Sequence, residues 1–203
     1  MSMTLYHCSG ARSVRVLWTL EEMGLDYTLK TLPFPPRVFE KDYLGINPLG
    51  TVPYFIDGET RMTESSAICQ YLVETRGPTP LGVKSGEPDY GAFLNWLYHA
   101  DATITFPQTI VLRYSQLEPH ERRLPQAVED YRKFFLGRLR LAEQALGDRE
   151  YLCAERFTIA DICVGYALYL ARMLRIEEAF TPNIAEWWGR LSTRDAFHRA
   201  AEK

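Results

Sequence analysis

The stretch Asn47-Pro48-Leu49-Gly50-Thr51-Val52-Pro53-Tyr54-Phe55-Ile56-Asp57-Gly58 decides how the chain folds. Asn-Pro-Leu-Gly is turn chemistry. Val52 to Ile56 reads as a strand with a proline near its start, where a missing N–H costs the least ladder pairing. Asp57-Gly58 is a hairpin turn, with Glu59 to Thr63 as the returning partner. Glu64-Ser65-Ser66 then opens a helix whose apolar side is Ala67, Ile68, Tyr71 and Leu72. Ser65 suits the N-cap, and the unpaired first-turn N–H groups of such an end readily bind a carboxylate.

Working outward, Thr4 to His7 reads as an opening strand, followed by the turn-rich patch Cys8-Ser9-Gly10-Ala11. Val14, Leu17, Trp18 and Met23 recur at helical spacing, and Gly24 stands where a helix end favours a left-handed residue. Tyr27 to Leu32 alternates as a half-buried strand. Pro33, Pro35 and Pro36 forbid regular structure, and 37–46 suits a short irregular helix. Residues 1–76 thus form a small α/β unit. The Gly- and Pro-rich segment 77–89 reads as a linker. Beyond it every pattern is helical: Tyr90 to about Gln116, bent at Pro107; Gln126 to Leu146, ended by Gly147; Thr158 to about Leu174; Pro182 to Leu191; and Asp195 to Glu202.

A chain of 203 residues suits one large domain or two small ones, and the change of pattern at the linker favours two. With 46% hydrophobic and 24% charged residues it matches an average globular protein, which excludes a disordered, collagen-like or coiled-coil chain. The net charge of −3 gives a phosphate backbone little to bind, so no nucleic-acid partner is expected. The 4 cysteines show neither CxxC nor zinc-ligand spacing, so no metal is expected. Without a signal-like start or a long apolar run, the expectation is a cytoplasmic protein with free thiols and no membrane partner.

Four motifs carry a resemblance to a known family. Asn47 to Pro53 is similar to an NP-x-G-x-VP loop, and Glu64-Ser65-Ser66-Ala67-Ile68-Cys69-Gln70-Tyr71-Leu72 to an E-S-x-A-I-x-x-Y-L helix start. Thr158-Ile159-Ala160-Asp161 matches a T-x-A-D capping box, and Val16 to Gly24 is similar to the first helix of many bacterial members. In this order and spacing they resemble the glutathione transferase superfamily. The resemblance implies a thioredoxin-like α/β N-terminal domain over 1–76, a linker at 77–89 and an all-α C-terminal domain over 90–203. It implies a cis bond before Pro53, and glutathione as co-substrate, held as an extended strand by the Val52 backbone beside Thr51 and Pro53. It places the γ-glutamyl carboxylate on the Ser65 hydroxyl and N–H, with Glu64 nearby. It also implies a homodimer and a small electrophilic substrate. Thr158 and Asp161 are read as a structural cap, not as catalytic groups.

The group that stabilises the glutathione thiolate must lie between Tyr6 and Ser13. Ser9 is the first choice and Ser13, in the helix's first turn, the second. Aligned on the bacterial beta class, Arg12 falls on the class's cysteine and would act by charge alone. Aligned on the omega class, Cys8 takes that place and would form a mixed disulfide, making the chemistry reductive. Tyr6, inside the strand, matches the tyrosine classes poorly. Gly50 and Thr51 stand where several classes put a cation or amide before the Val-Pro pair, and Arg37 offers one from the proline-rich segment. Trp96, Tyr98, His99, Thr103 and Phe106 are candidates to face an electrophile. The alternatives to thiol transfer are disulfide reduction through Cys8, cis–trans isomerisation as in the zeta class, or a non-catalytic binding or regulatory protein on the same fold.

Overall fold

The alternating apolar residues of the first strand set up the sheet on which the first unit is built. The computed structural model describes residues 3–203, so Met1 and Ser2 of the N-terminal reading lie outside it. Strand β1 (Met3–His7) buries Met3, Leu5 and His7 and leaves Thr4 and Tyr6 half-buried. It runs parallel to β2 (Tyr27–Thr31), with Leu5 opposite Leu29. It runs antiparallel to β3 (Tyr54–Asp57), with Leu5 opposite Phe55. β4 (Thr60–Met62) closes the hairpin, giving the order β2-β1-β3-β4.

Between β1 and β2 runs helix α1 (Ser13–Met23), buried at every residue from Ser13 to Leu20. Gly24, at φ +61°, ends it in the left-handed conformation expected from its position. The proline-rich segment gives only one turn of helix, α2 (Pro36–Phe39), then a 3-10 turn at Lys41–Gly45. Helix α3 (Ser65–Thr75) packs on α1 and buries Ile68, Cys69 and Leu72.

The chain divides into two units: residues up to Gly82 together with Ser192–Lys203, and Val83–Leu191. The 90–203 stretch therefore gives up its last helix to the first unit. Trp18 and Phe197 rings lie 4.8 Å apart. Arg194 grips both carboxylate oxygens of Glu22 at 2.6 and 2.8 Å. Arg199 donates to Glu21 at 2.6 Å, and Lys203 and Tyr27 donate to the same carboxylate. The contacts from Arg194, Arg199 and Lys203 span more than 170 positions, so no local pattern announces them.

The second unit is helical: α4 (Tyr90–Tyr98), α5 (Phe106–Leu112), α6 (Pro125–Arg138), α7 (Arg140–Ala145), α8 (Ile159–Met173) and α9 (Pro182–Ser192). The bend expected at Pro107 is taken up earlier, in a π-helical stretch at His99–Thr105. Pro107 has no N–H to offer the carbonyl one turn before it, and a wider turn accommodates the gap. The single helix expected over 126–146 is broken at Leu139, between α6 and α7. Helix α8 is the centre of the unit, buried without interruption from Ile159 to Leu168. Gln108, itself buried, ties α5 to α8 by donating to the Ala167 carbonyl at 3.0 Å. No helix of the described residues is long and apolar enough to cross a membrane.

The N-terminus of α8 carries a complete capping box. The Thr158 hydroxyl accepts from Ala160 N–H at 3.2 Å, while Asp161 accepts from Thr158 N–H at 2.9 Å and from Leu152 N–H at 3.0 Å. The last bond pins the preceding loop to the helix, so Asp161 does more than cap.

The final helix, α10 (Asp195–Ala201), follows Arg194 and lies on α1. Two outcomes follow from these anchors. Asp161→Ala would orphan two backbone donors, one in a fully buried site, and should lower stability by roughly 2–4 kcal/mol. Urea denaturation checks this, and an unchanged midpoint would contradict it. For Glu21, burial raises the carboxyl, but hydrogen bonds from Lys203, Tyr27 and Arg199 outweigh it and bring it from the usual 4.5 down to about 2. A carboxyl depressed by folding contributes stability above its unfolded value and loses it as the pH falls through the folded one. Hydrogen-exchange protection over 192–203, taken relative to the intrinsic rate at each pH, should therefore fall as the pH falls from 4.5 towards about 2. In Glu21→Gln the same segment should already exchange faster at neutral pH.

Candidate functional site

The loop entering β3 is built around one carbonyl. Tyr43, buried, donates its hydroxyl to Thr51 C=O at 2.7 Å. Asn47, also buried, donates its side-chain amide to the same oxygen at 2.9 Å. The Asn47 side-chain carbonyl accepts from Leu49 N–H at 3.1 Å, and its backbone carbonyl accepts from Gly50 N–H at 2.9 Å. Gly50 has φ +58°, and a Cβ there would stand 2.7 Å from Arg37 Cβ and 2.9 Å from Leu44 Cδ2. Only glycine fits that approach. It lays the stem of the exposed Arg37 beside the loop, one residue from the exposed Thr51.

The Val52–Pro53 bond is cis. The β1–β3 ladder begins at Tyr6 opposite Tyr54, after this bend. Among the described residues Val52, half-buried, takes part in no ladder pairing, while Pro53 is buried.

Helix α3 starts with Glu64 in the N-cap position, in extended backbone, and no side chain caps it. Ser65 is therefore the first helical residue and not the N-cap expected of it. Its side chain is only 2% exposed, and its hydroxyl accepts from Arg15 Nη1 at 2.9 Å. Glu64 is exposed. The contrast with α8 is instructive: one helix closes its N-terminus with Thr158 and Asp161, whereas the Glu64 side chain makes no cap bond at the start of α3. This end carries the positive pole of the helix dipole. Arg15, with no exposed surface, adds a buried charge behind it, because a guanidinium keeps its proton even when buried.

The β1–α1 connection is a tight turn in which Ala11 N–H reaches Cys8 C=O at 3.1 Å. Gly10, at φ +70°, takes the third position, where a type II turn needs positive φ. Ser9 is exposed at the turn's second position. Arg12, half-buried, precedes α1 in the N-cap position, and no side chain caps this helix either.

The other two candidates point elsewhere. Cys8 is fully buried, donates to the Pro33 carbonyl at 3.7 Å, and has its thiol pushed by burial up to about 11. Ser13 is fully buried with its hydroxyl 2.8 Å from His7 Nδ1. Burial drives His7 down to about 4, against a smaller opposing pull from the Lys203 backbone, so its imidazole is neutral at pH 7. Cys8 and Ser13 thus sit inside the fold, each with a partner there. Ser9 and Arg12 remain at the surface of the turn.

Two residues of this region escaped the sequence reading. Arg15 and His7 both occupy core-facing positions. The available signal was an arginine between Val14 and Val16 in a helix otherwise apolar on its inner side.

Of the residues expected to face an electrophile, all belong to the second unit. Trp96 is buried and Tyr98 is exposed. His99 is half-buried and edge-on to Trp96 at 5.3 Å, with its imidazole lowered by burial. Thr103 is half-buried and Phe106 exposed. Among the described residues no group of three or more His, Cys, Asp and Glu is arranged to hold a metal ion.

The loop geometry sets a clear expectation. Asn47→Ala and Gly50→Ala should each cost roughly 2–3 kcal/mol, the first by removing buried hydrogen bonds and the second by collision and a disfavoured φ. Thr51→Ala should stay within about 0.5 kcal/mol, since the side chain is exposed. Urea midpoints separate these cases, and a Gly50→Ala variant as stable as the parent would refute the close approach.

Comparison with known proteins agrees with this architecture. The sequence model for the glutathione S-transferase N-terminal domain matches residues 1–74, and that for the C-terminal domain matches 99–195. Glutathione S-transferase GstA of Escherichia coli O157:H7 is 27% identical, the match covering 95% of this chain and 94% of that one. Glutathione S-transferase 3 of Schizosaccharomyces pombe is 25% identical, over 98% of this chain and 86% of its own. Among solved structures, the glutathione transferase URE2P6 from Phanerochaete chrysosporium in complex with oxidized glutathione has a TM-score of 0.85 at 29% identity, covering 99% of this chain and 95% of that one. Ure2p5 from the same organism, cocrystallized with 1-(S-glutathionyl)-2,4-dinitrobenzene, has a TM-score of 0.84 at 25% identity, covering 99% and 93%. With both domain models matched in order across most of its length, the chain belongs to the glutathione S-transferase family.

Proposed function

We propose that this chain is a glutathione transferase that binds reduced glutathione on its first unit and directs the thiolate at a small, soft electrophile. The observation that carries this reading is the start of α3 without a side-chain cap, with the buried Ser65 hydroxyl held by Arg15, in the same unit as Val52, whose backbone lies outside the strand ladders. The γ-glutamyl carboxylate goes to Ser65 and the first-turn N–H groups beside Glu64. The cysteinyl backbone pairs with Val52 between Thr51 and Pro53. Arg37, whose stem flanks Gly50, suits the glycyl carboxylate.

Ser9 is the donor assigned to the sulfur. It is the exposed hydroxyl of the β1–α1 turn, and the uncapped start of α1 and the Arg12 side chain add positive potential beside it. In the reaction the thiol proton leaves to solvent and the thiolate attacks the electrophilic carbon; as the C–S bond forms, a leaving group departs with its electron pair or, in a conjugate addition, the π pair shifts away and is protonated by solvent. The protein contributes alignment and charge stabilisation.

Disulfide reduction through Cys8 is disfavoured by its burial. With the thiol at about 11, the thiolate fraction at neutral pH is on the order of one in ten thousand. A homodimer fits the apolar surface, which includes Phe39 and Leu49 on the first unit and Tyr98 and Phe106 on the second. Four free, buried cysteines suit a reducing cytoplasm, and detoxification is the matching role.

Titration of the bound thiol tests the assignment. Ser9→Ala should raise its pKa by about one unit and lower turnover near neutral pH about tenfold, with glutathione affinity little changed. An unaltered thiol pKa would remove Ser9 from the role. Failure to bind immobilised glutathione, together with no heat stabilisation by the free tripeptide, would favour a non-catalytic protein.

A further inference from the structure

The α1–α3 seam holds two polar rungs one helical turn apart. Arg15 Nη1 donates to Ser65 Oγ at 2.9 Å, and four residues further along both helices Thr19 Oγ1 lies 3.2 Å from Cys69 Sγ. Thr19 donates its one proton to the Arg15 carbonyl at 2.9 Å, linking the rungs. Both Arg15 and Thr19 have no exposed surface. Burying a guanidinium carries a desolvation penalty that a Leu or Met in the same helix face would not incur. For seam packing alone, the second rung shows that small neutral groups suffice.

We infer that Arg15 is a positioning residue for the γ-glutamyl carboxylate: it acts through Ser65, never touching the peptide, and makes this end of α3 selective for an anion. The inference rests on the reading that this carboxylate docks at α3. A serine hydroxyl has one proton and two lone pairs. With Arg15 donating to a lone pair, the Ser65 proton is turned away from the seam and serves as a donor. A donor polarised by a cation binds a carboxylate more strongly than a neutral one. The charge also lies behind the helix's positive pole, so both fields act together on a docked anion.

The test compares two peptides. Glutathione carries the α-carboxylate, and γ-aminobutyryl-cysteinyl-glycine lacks it but keeps the rest of the backbone. Dissociation constants for both are measured by calorimetry on the full chain and on Arg15→Met, Arg15→Lys and Cys69→Ala. Arg15→Met should weaken glutathione at least tenfold and leave the truncated peptide within twofold, so that discrimination between them collapses. Arg15→Lys, which keeps the charge, should retain part of the discrimination. Cys69→Ala, which removes the second rung and keeps the first, should leave it intact.

Equal loss for both peptides in Arg15→Met, or no loss for either, would overturn the inference, because a purely structural residue would not separate them. If the parent chain itself binds both peptides equally, the docking of the carboxylate at α3 fails, whatever Arg15 does. Should Arg15→Met not fold, Arg15→Lys, Ser65→Ala and their double variant carry the same question. Losses smaller in combination than in sum are expected if Arg15 works through Ser65, and full additivity would overturn it.

Discussion

Helix α1 is enclosed, with the sheet, α3 and α10 all packed against it and every residue from Ser13 to Leu20 buried. That enclosure governs the chemistry around it. A buried polar group must find a protein partner or impose a penalty, and α1 carries several. Ser13 meets His7, Arg15 meets Ser65, and Thr19 meets Cys69. Each bond joins α1 to the sheet or to α3, so the polar groups lock the register between elements that apolar packing alone would leave free to slide.

The same constraint sorts the candidates for thiol chemistry. Groups swept inside with α1 or the end of β1 resist charging: the Cys8 thiol rises and the His7 imidazole falls, both because burial disfavours charge. What remains in solvent is the tip of the turn, where Gly10's positive φ lifts Ser9 outward ahead of Arg12. The charge distribution is equally local. The chain is nearly neutral overall at −3, yet a buried arginine stands beside the first residue of α3 and holds its hydroxyl. Net charge speaks to nucleic-acid binding and says nothing of where a single buried charge is placed.

Much of the fold was legible before any coordinates. The α1 end at Gly24 and the start of α8 at Thr158 appear where their residues imply, and the hairpin expected within 52–63 forms with its first strand two residues later, at Tyr54–Asp57, and its turn at Gly58-Glu59. These features depend on hydrogen bonds and sterics within about four residues, and local sequence encodes them directly. Ser65 shows the limit of such reading. A serine at a helix start is ordinarily the cap, whereas here Glu64 takes that position and Arg15, fifty positions away, holds the Ser65 hydroxyl inside.

The sequence by itself therefore determined the family, the order of elements, the loop around Gly50 and the capping box at Thr158, since each is a short-range pattern of residue types. Only the tertiary structure decided that residues 192–203 belong with the first unit, that Cys8 and Ser13 are sealed from solvent, and that a buried arginine stands behind Ser65. Those outcomes turn on partners fifty to more than 170 positions apart. Whether a side chain ends in water or in the core depends on which distant elements close over it, and periodicity within one helix carries no record of that.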